Sequence, residues 1–72
     1  MDEDKLALSV SELDLSLRTV NCLEEGGIWT VGDLLGRTQA ELLGIPQFGR
    51  LMLAEVFAAL SELGFHRKGV RP

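Results

Sequence analysis

The feature that most constrains the fold of this chain is the short interval between residues that start helices and residues that end them. Hydroxyl side chains, which can accept a hydrogen bond from a first-turn backbone N–H, precede three successive runs of residues, and glycine ends each run. The candidate N-caps are Ser16, Thr30 and Thr38, and the glycines that end the runs are Gly26, Gly36 and Gly44. This punctuation predicts several short helices, the first with Gly26 at its C′ position.

Two of these starts also have the spacing of a capping box, in which an acidic side chain three positions later bonds back to the N-cap backbone. The two pairs are Thr30 with Asp33 and Thr38 with Glu41. A tight turn is expected over residues 45–49. After it, a longer helix is predicted from about Arg50 to Leu63, ended by Gly64.

The predicted last helix has one clear apolar face. Its apolar residues recur with the i, i+3, i+4, i+7 spacing that places side chains on one side of a helix. These residues are Leu53, Val56, Phe57 and Leu60, with Leu63 one turn further along. Leu51 falls on the opposite side, because successive residues are rotated by about 100°, and we expect it to be exposed.

The composition agrees with a helical class. The protein has 72 residues, of which 46% are hydrophobic and only 6% aromatic, and it has no Tyr. An aliphatic core favours helices over a β-sandwich. We therefore predict an all-α fold, a compact bundle of about four to five short helices. It would occupy residues 10–65, between a flexible acidic N-terminal segment over residues 1–9, which lacks periodicity, and a basic tail over residues 66–72.

Few residues could support catalysis, metal binding or export. Cys22 and His66 are the single cysteine and histidine, so neither an intramolecular disulfide nor a four-ligand zinc site can form. No apolar run approaches the roughly 20 residues that span a bilayer, and the acidic start differs from the basic start of a signal peptide. We expect a cytoplasmic protein that is not an enzyme and has no cofactor, metal or membrane partner.

The distribution of charge limits how the protein could bind nucleic acid. The net charge is −4, and residues 6–64 contain eight acidic residues against three basic ones, Arg18, Arg37 and Arg50. Affinity that comes from phosphate neutralisation grows with the number of Lys and Arg contacts. Bulk charge therefore does not favour binding, and any nucleic-acid contact must be local.

Residues 38–56 have the layout of a helix-hairpin-helix unit, with a short helix, a tight turn and a second helix that begins after Gly49. A glycine there lets a phosphate approach backbone N–H groups at a helix N-terminus, where the helix dipole favours an anion. A helical hairpin that binds no ligand would show the same layout. Gln47 also stands where the usual unit has a second glycine.

A second group of residues lies on the first predicted helix, where the i, i+3, i+4 spacing of Arg18, Asn21 and Cys22 places them along one face. This group is part of a longer series of landmarks: Val10-x-Glu12-Leu13-x-Leu15-Ser16, Leu17-Arg18-x-x-Asn21-Cys22-Leu23, Ile28-x-x-Val31-Gly32-Asp33-Leu34, Arg37-Thr38, Glu41-Leu42-Leu43, Pro46-x-x-Gly49 and Glu55. In these landmarks residues 10–65 resemble the C-terminal domain of the bacterial RNA polymerase alpha subunit.

The resemblance implies a bundle of short helices with helix-hairpin-helix character that docks in the minor groove of A·T-rich DNA upstream of promoters. The residues implied in DNA binding are Arg18, Asn21, Cys22, Gly49 and Arg50. The narrow, electronegative minor groove of A·T tracts attracts a single well-placed arginine. The resemblance also implies sigma factor or transcription regulators as partners, contacted through Glu12 and Asp14, although these acids could equally be solubilising surface.

The sequence departs from the family after Gly49, where a basic and hydroxylated run usually contacts phosphate. Here the run is Arg50-Leu51-Met52. Loss of two charge-assisted contacts would weaken DNA binding by about 1–3 kcal/mol. The alternative function is an alpha-like domain that has lost DNA affinity and binds a protein through Leu51, Met52 and acidic faces that include Glu55. A helix-hairpin-helix domain of a repair or recombination protein is the third interpretation.

Overall fold

The computed structural model describes residues 2–65, with side chains from Asp4 onward. Within this range the protein forms five α-helices, one 3-10 turn and no strand. The helices are α1 (Asp2–Leu6), α2 (Leu17–Glu25), α3 (Val31–Leu35), α4 (Gln39–Leu43) and α5 (Arg50–Glu62), and the 3-10 turn is at Val10–Glu12. The predicted all-α class is confirmed. His66 and the predicted basic tail over residues 66–72 lie outside the described residues.

Capping boxes explain how α3 and α4 form although each has only five residues. Thr30 Oγ1 accepts from the Asp33 N–H at 3.1 Å, and Asp33 Oδ2 accepts from the Thr30 N–H at 3.1 Å. The same reciprocal bonds join Thr38 and Glu41 at 3.0 and 2.9 Å. Each pair satisfies N–H groups that a helix start leaves without an intrahelical partner. Both predicted capping boxes are confirmed.

A glycine in the left-handed conformation follows the end of each of the two longer helices. The backbone turns into the left-handed region at Gly64, where φ is +94°, as predicted for the end of α5. At the end of α2, Gly26 is the C-cap with φ −84°, and Gly27 takes the left-handed conformation with φ +82°. The prediction that Gly26 is the C′ residue is therefore wrong by one position, because either glycine of the pair could adopt this conformation without a Cβ penalty.

One hydrophobic core joins all parts of the described structure. The buried apolar residues are Val10, Val20, Cys22, Leu23, Ile28, Val31, Leu34, Leu42, Phe48, Leu53, Val56, Ala59 and Leu60. On α5 the predicted apolar face is confirmed at Leu53, Val56 and Leu60, while Phe57 and Leu63 are half-buried at its edges. Leu51 is 85% exposed, as its position on the opposite side of the helix predicts.

Residues 2–9 differ from the sequence prediction of a flexible acidic segment. Residues 2–6 form α1, and Leu6 and Leu8 pack against the core. The Leu8 carbonyl accepts from the Val31 N–H at 2.9 Å, and Lys5 Nζ donates to the Leu63 carbonyl at 2.7 Å. A helix of five residues is not stable alone, so these tertiary contacts stabilise it. Such a short helix shows no periodicity, which is why the sequence pattern does not predict it.

The turn between α4 and α5 brings these helices together as a hairpin. The Phe48 N–H donates to the Ile45 carbonyl at 3.0 Å, and the Phe48 ring is buried in the core. Gln47 adopts a left-handed conformation with φ +69°. The hairpin is thus anchored by an aromatic side chain and places the first turn of α5 at the surface.

Candidate nucleic-acid interface

The start of α2 and the start of α5 form the two sides of a surface groove of about 530 Å³. A second pocket of about 210 Å³ adjoins it and shares Arg18, Gln47 and Met52 with it. The predicted site residues that line one or both are Arg18, Asn21, Cys22, Gly49, Arg50, Leu51, Met52 and Glu55. Two stretches that lie far apart in the sequence are therefore brought to one surface.

Arg18 and Asn21 are both exposed on α2. Ser16 caps this helix, since its Oγ accepts from the Thr19 N–H at 3.3 Å. Because Arg18 is in the first turn and Asn21 follows three residues later, both side chains lie on one helical face. The prediction that Arg18 and Asn21 lie along one face of this helix agrees with the structure, in which both line the smaller pocket.

Glu55 connects α5 to the start of α2. Its Oε1 accepts from the Ser16 N–H at 2.9 Å, and its Oε2 accepts from the Thr19 hydroxyl at 2.7 Å and from the Ser16 hydroxyl at 3.4 Å. Donation from the Ser16 backbone and then from Thr19 holds the pKa of this carboxyl below its usual range. The predicted role of Glu55 is contact with a partner protein, but the structure shows that its carboxylate is engaged within the domain.

Cys22 has an internal contact too. The side chain is only 6% exposed, and its Sγ donates to the Pro46 carbonyl at 3.3 Å, which connects α2 to the turn before α5. Burial raises the pKa of the Cys22 thiol, so the sulfur keeps its proton and remains a donor. Cys22 therefore borders the smaller pocket mainly from below the surface.

The end of α2 approaches the same turn closely at Gly26. A Cβ on Gly26 would lie 2.9 Å from Ile45 Cδ1, which is closer than van der Waals contact allows. The glycine therefore permits the Ile45 side chain to pack over the last turn of α2. With the Cys22 contact, this packing fixes α2 relative to the hairpin.

Gly49 is the N-cap of α5 and leaves the helix start open. It has an extended backbone that any residue can adopt, with φ −107°, and the helix has no side-chain cap there. A Cβ built on Gly49 would meet nothing within 4 Å. The fold therefore does not require glycine at this position, and its absent side chain leaves free space beside the first backbone N–H groups of α5.

The next residues give the groove an apolar side. Arg50 and Leu51 are exposed, and Met52 is half-buried. The sequence prediction that Leu51 is exposed is confirmed. The groove thus combines two arginine side chains, Arg18 and Arg50, with an exposed leucine.

Glu12 and Asp14 line neither of these two pockets. Both are exposed in the segment before α2. The Glu12 carboxylate accepts from the Ser9 N–H at 2.8 Å and so stabilises the 3-10 turn. The structure therefore does not bring the predicted acidic contact residues together with the predicted DNA-binding residues.

Other functional features can be stated for the described part of the protein. No helix within residues 2–65 is long and apolar enough to cross a membrane. Among the side chains described, from Asp4 onward, no three of His, Cys, Asp or Glu are grouped as metal ligands would be. The two pockets beside Arg18 are thus the places where the predicted site residues converge.

The fold and these pockets define a small all-α domain in which a helical hairpin and the start of an earlier helix form one surface with two arginines. Over residues 1–62 the sequence matches the family of the C-terminal domain of the bacterial RNA polymerase alpha chain, and the protein belongs to this family. The matched range includes α1.

Curated relatives agree with the family. The sequence is 45% identical over 67 residues to the DNA-directed RNA polymerase subunit alpha of Arthrobacter sp. (strain FB24) and to that of Paenarthrobacter aurescens (strain TC1). It is 43% identical over 67 residues to the same subunit of Acidothermus cellulolyticus (strain ATCC 43068 / DSM 8971 / 11B). Each alignment covers 93% of this chain and 20% of the relative, so the chain spans about one fifth of the length of these relatives.

Proposed function

We propose that this domain binds the minor groove of A·T-rich DNA upstream of promoters and acts in the cytoplasm as a non-catalytic module of transcription. The observation that carries the proposal is the convergence of Arg18 and Asn21 with Gly49 and Arg50 on one surface. In this family, these are the positions expected to contact DNA. Its named relatives are alpha subunits of DNA-directed RNA polymerase.

The two halves of the surface suit different parts of a duplex. Arg18 is exposed and can enter a narrow minor groove, whose negative potential is strongest in A·T tracts. Asn21 on the same face can hydrogen-bond to base edges there. The open first turn of α5 behind Gly49 offers backbone N–H groups to a phosphate, and the dipole of this helix favours the negative charge.

Binding should be weak, because the second and third residues of α5 are Leu51 and Met52 rather than phosphate-binding side chains. Few positive side chains other than Arg18 and Arg50 are available at this surface. A weak contact still serves transcription if it tethers a larger assembly, since it raises the effective concentration of that assembly at the promoter.

We also propose that Glu12 and Asp14 contact sigma factor or a transcription regulator. Their support is that both are exposed and that they lie outside the two pockets. An acidic surface of this domain that contacts a partner protein and is separate from the groove would allow DNA and protein to be bound at the same time. The lining of the pockets therefore favours two distinct contact regions.

The decisive experiment is an amide chemical-shift titration of the protein with an A·T-rich duplex, with a G·C-rich duplex of equal length as control. We expect shifts concentrated at residues 16–22 and 47–52 with the A·T-rich duplex and smaller shifts with the control. Shifts confined to Glu12 and Asp14, or equal shifts with both duplexes, would contradict minor-groove docking.

One observation favours a second candidate function, which is a domain that has lost useful DNA affinity and binds a protein. Leu51 is 85% exposed at the groove, and an exposed leucine contributes little to a phosphate contact. The same titration distinguishes the candidates, since a protein-binding domain would show no saturable shifts with either duplex.

A further inference from the structure

The groove between α2 and α5 has an apolar side to which DNA binding assigns no role. Leu51 is 85% exposed and Met52 is half-buried beside it, and both line the groove. Removal of a leucine side chain from water by an apolar partner is favourable, whereas a phosphate provides no such contact. A partner with apolar side chains of its own therefore fits this side of the groove better than a nucleic-acid backbone does.

The charged side chains of the groove determine the charge of that partner. Within residues 2–65 there are four Lys and Arg residues, and two of them, Arg18 and Arg50, line the groove. The one acidic residue that also lines it, Glu55, has its two carboxylate oxygens engaged by hydrogen bonds from Ser16 and Thr19. The two arginines therefore exceed this single acid in charge. The groove is therefore a basic and apolar surface on a protein whose net charge is −4.

The dimensions of the groove suit one short segment of a polypeptide. Its volume is about 530 Å³, which is enough for a few side chains and too little for a folded domain to enter. Its two sides are the first turns of α2 and α5, which the Glu55 bonds hold together. A preformed groove of this kind binds an amphipathic helix through apolar side chains one turn apart.

We propose that this groove binds an acidic amphipathic segment of a partner protein. Leucine-like side chains of the segment pack against Leu51 and Met52, and its carboxylates pair with Arg18 and Arg50. This binding goes beyond the proposed DNA contact and does not depend on it. Only one consequence rests on the proposed function: since Arg18 belongs to both surfaces, the segment and the duplex exclude each other.

The test is a display selection with random peptides of about 15 residues, the length of four helical turns. Peptides are selected on the parent protein, and a selection without the protein is the control. We expect the enriched peptides to carry Asp or Glu together with Leu, Ile or Met at helical spacing. Enrichment of basic or uncharged peptides, or no enrichment over a selection without the protein, would overturn the proposal.

One enriched peptide is then labelled and titrated by fluorescence anisotropy. Leu51→Ser should weaken binding of the peptide at least about tenfold, because the variant lacks the leucine side chain that the peptide would bury. Arg18→Gln and Arg50→Gln should each weaken it severalfold, and added salt should do the same. Leu43→Ser is the matched control, since Leu43 is a partly exposed leucine outside this groove. Equal losses from Leu51→Ser and Leu43→Ser would overturn the proposed site.

Competition with an A·T-rich duplex separates this inference from the proposed function. Displacement of the peptide by the duplex would support both. Peptide binding by a protein that does not bind the duplex would support the inference and contradict DNA binding. If this domain binds the duplex but the selection on it enriches no peptide, the inference is overturned and DNA binding remains in place.

Discussion

The Glu55 carboxylate and the Ser16 backbone N–H lie 2.9 Å apart, although 39 residues separate them in the sequence. The bond joins the second turn of α5 to the residue that caps α2. The Thr19 hydroxyl, which is buried, strengthens the connection at 2.7 Å. This carboxylate therefore helps to hold the start of α2, which carries Arg18, against the start of α5, which follows Gly49.

Replacement of Glu55 by alanine should lower the free energy of unfolding by about 1 kcal/mol, since its hydrogen bonds are charge-assisted but partly open to solvent. Urea denaturation measures this change. Glu62→Ala is the matched control, because Glu62 is an exposed glutamate on the same helix and should change stability much less. Equal effects of the two substitutions would show that the Glu55 bonds contribute nothing.

Stability should decrease on acidification, because Asp33, Glu41 and Glu55 all have pKa values lowered in the folded state. The main cause is donation from the backbone of Trp29, Thr38 and Ser16, respectively. In the unfolded state the pKa values of these groups return to the ordinary 3.8 for Asp and 4.5 for Glu. The unfolded state therefore binds more protons as pH falls through this range, which favours unfolding.

Melting temperature measured against pH tests this linkage. The contribution of these carboxylates is fully present above pH 4.5 and is lost as pH falls through their lower folded-state pKa values. Glu55→Gln should give a shallower loss than the parent, since one of the three groups no longer titrates. A melting temperature that stays constant or rises as the solution is acidified would contradict the prediction.

Arg18→Ala should weaken binding of an A·T-rich duplex more than any other single substitution, because Arg18 is the side chain placed to enter the minor groove. The fold should be unchanged, since Arg18 is exposed. Fluorescence anisotropy measures the loss, which we expect to be about 1–3 kcal/mol. Arg37→Ala removes the same charge outside both pockets and controls for net charge. If both variants bind like the parent, groove insertion by Arg18 is wrong.

Replacement of Leu51 by lysine together with Met52 by serine should increase DNA affinity, since it adds a cation and a hydroxyl beside the open start of α5. Leu51→Lys alone should fold normally because Leu51 is 85% exposed. Met52 is half-buried, so its replacement should account for most of any loss of stability. Duplex binding that does not improve in a folded double variant would favour the protein-binding function.

Gln47→Gly should stabilise the domain by about 0.5–1 kcal/mol, because Gln47 has φ +69° and a non-glycine residue in this region is strained. Thermal unfolding compared with Gln47→Ala gives the measurement, since alanine removes the side chain and keeps the strain. A glycine variant no more stable than the alanine variant would show that contacts of the glutamine, rather than the backbone, determine stability at this turn.

Local signals in the sequence predict much of the fold. Thr30 and Thr38 are identifiable as N-caps because the partner of each lies three residues away, within one turn. Leu51 can be assigned to the exposed side of α5 from helical periodicity alone. Both kinds of signal concern residues of the same helix, and the structure confirms them.

Contacts between distant residues cannot be predicted in this way. Nothing near Glu55 in the sequence indicates that Ser16 is its partner, so sequence reasoning assigns Glu55 to the surface for partner proteins. It similarly assigns Cys22 to DNA contact, although the thiol donates to the Pro46 carbonyl. The expectation that the site residues converge comes from the resemblance to a known family. Whether each of them contacts DNA or protein stays a prediction.

The bond from Lys5 Nζ to the Leu63 carbonyl has a consequence for how the domain opens. It places a positive charge at the C-terminal end of α5, where the helix dipole is negative and carbonyl groups lack intrahelical donors. We therefore expect fraying of α1 and fraying of the last turn of α5 to occur together. Amides of α1 and amides of the last turn of α5 should exchange with solvent deuterium at closely matched rates, as two parts of one cooperative unit.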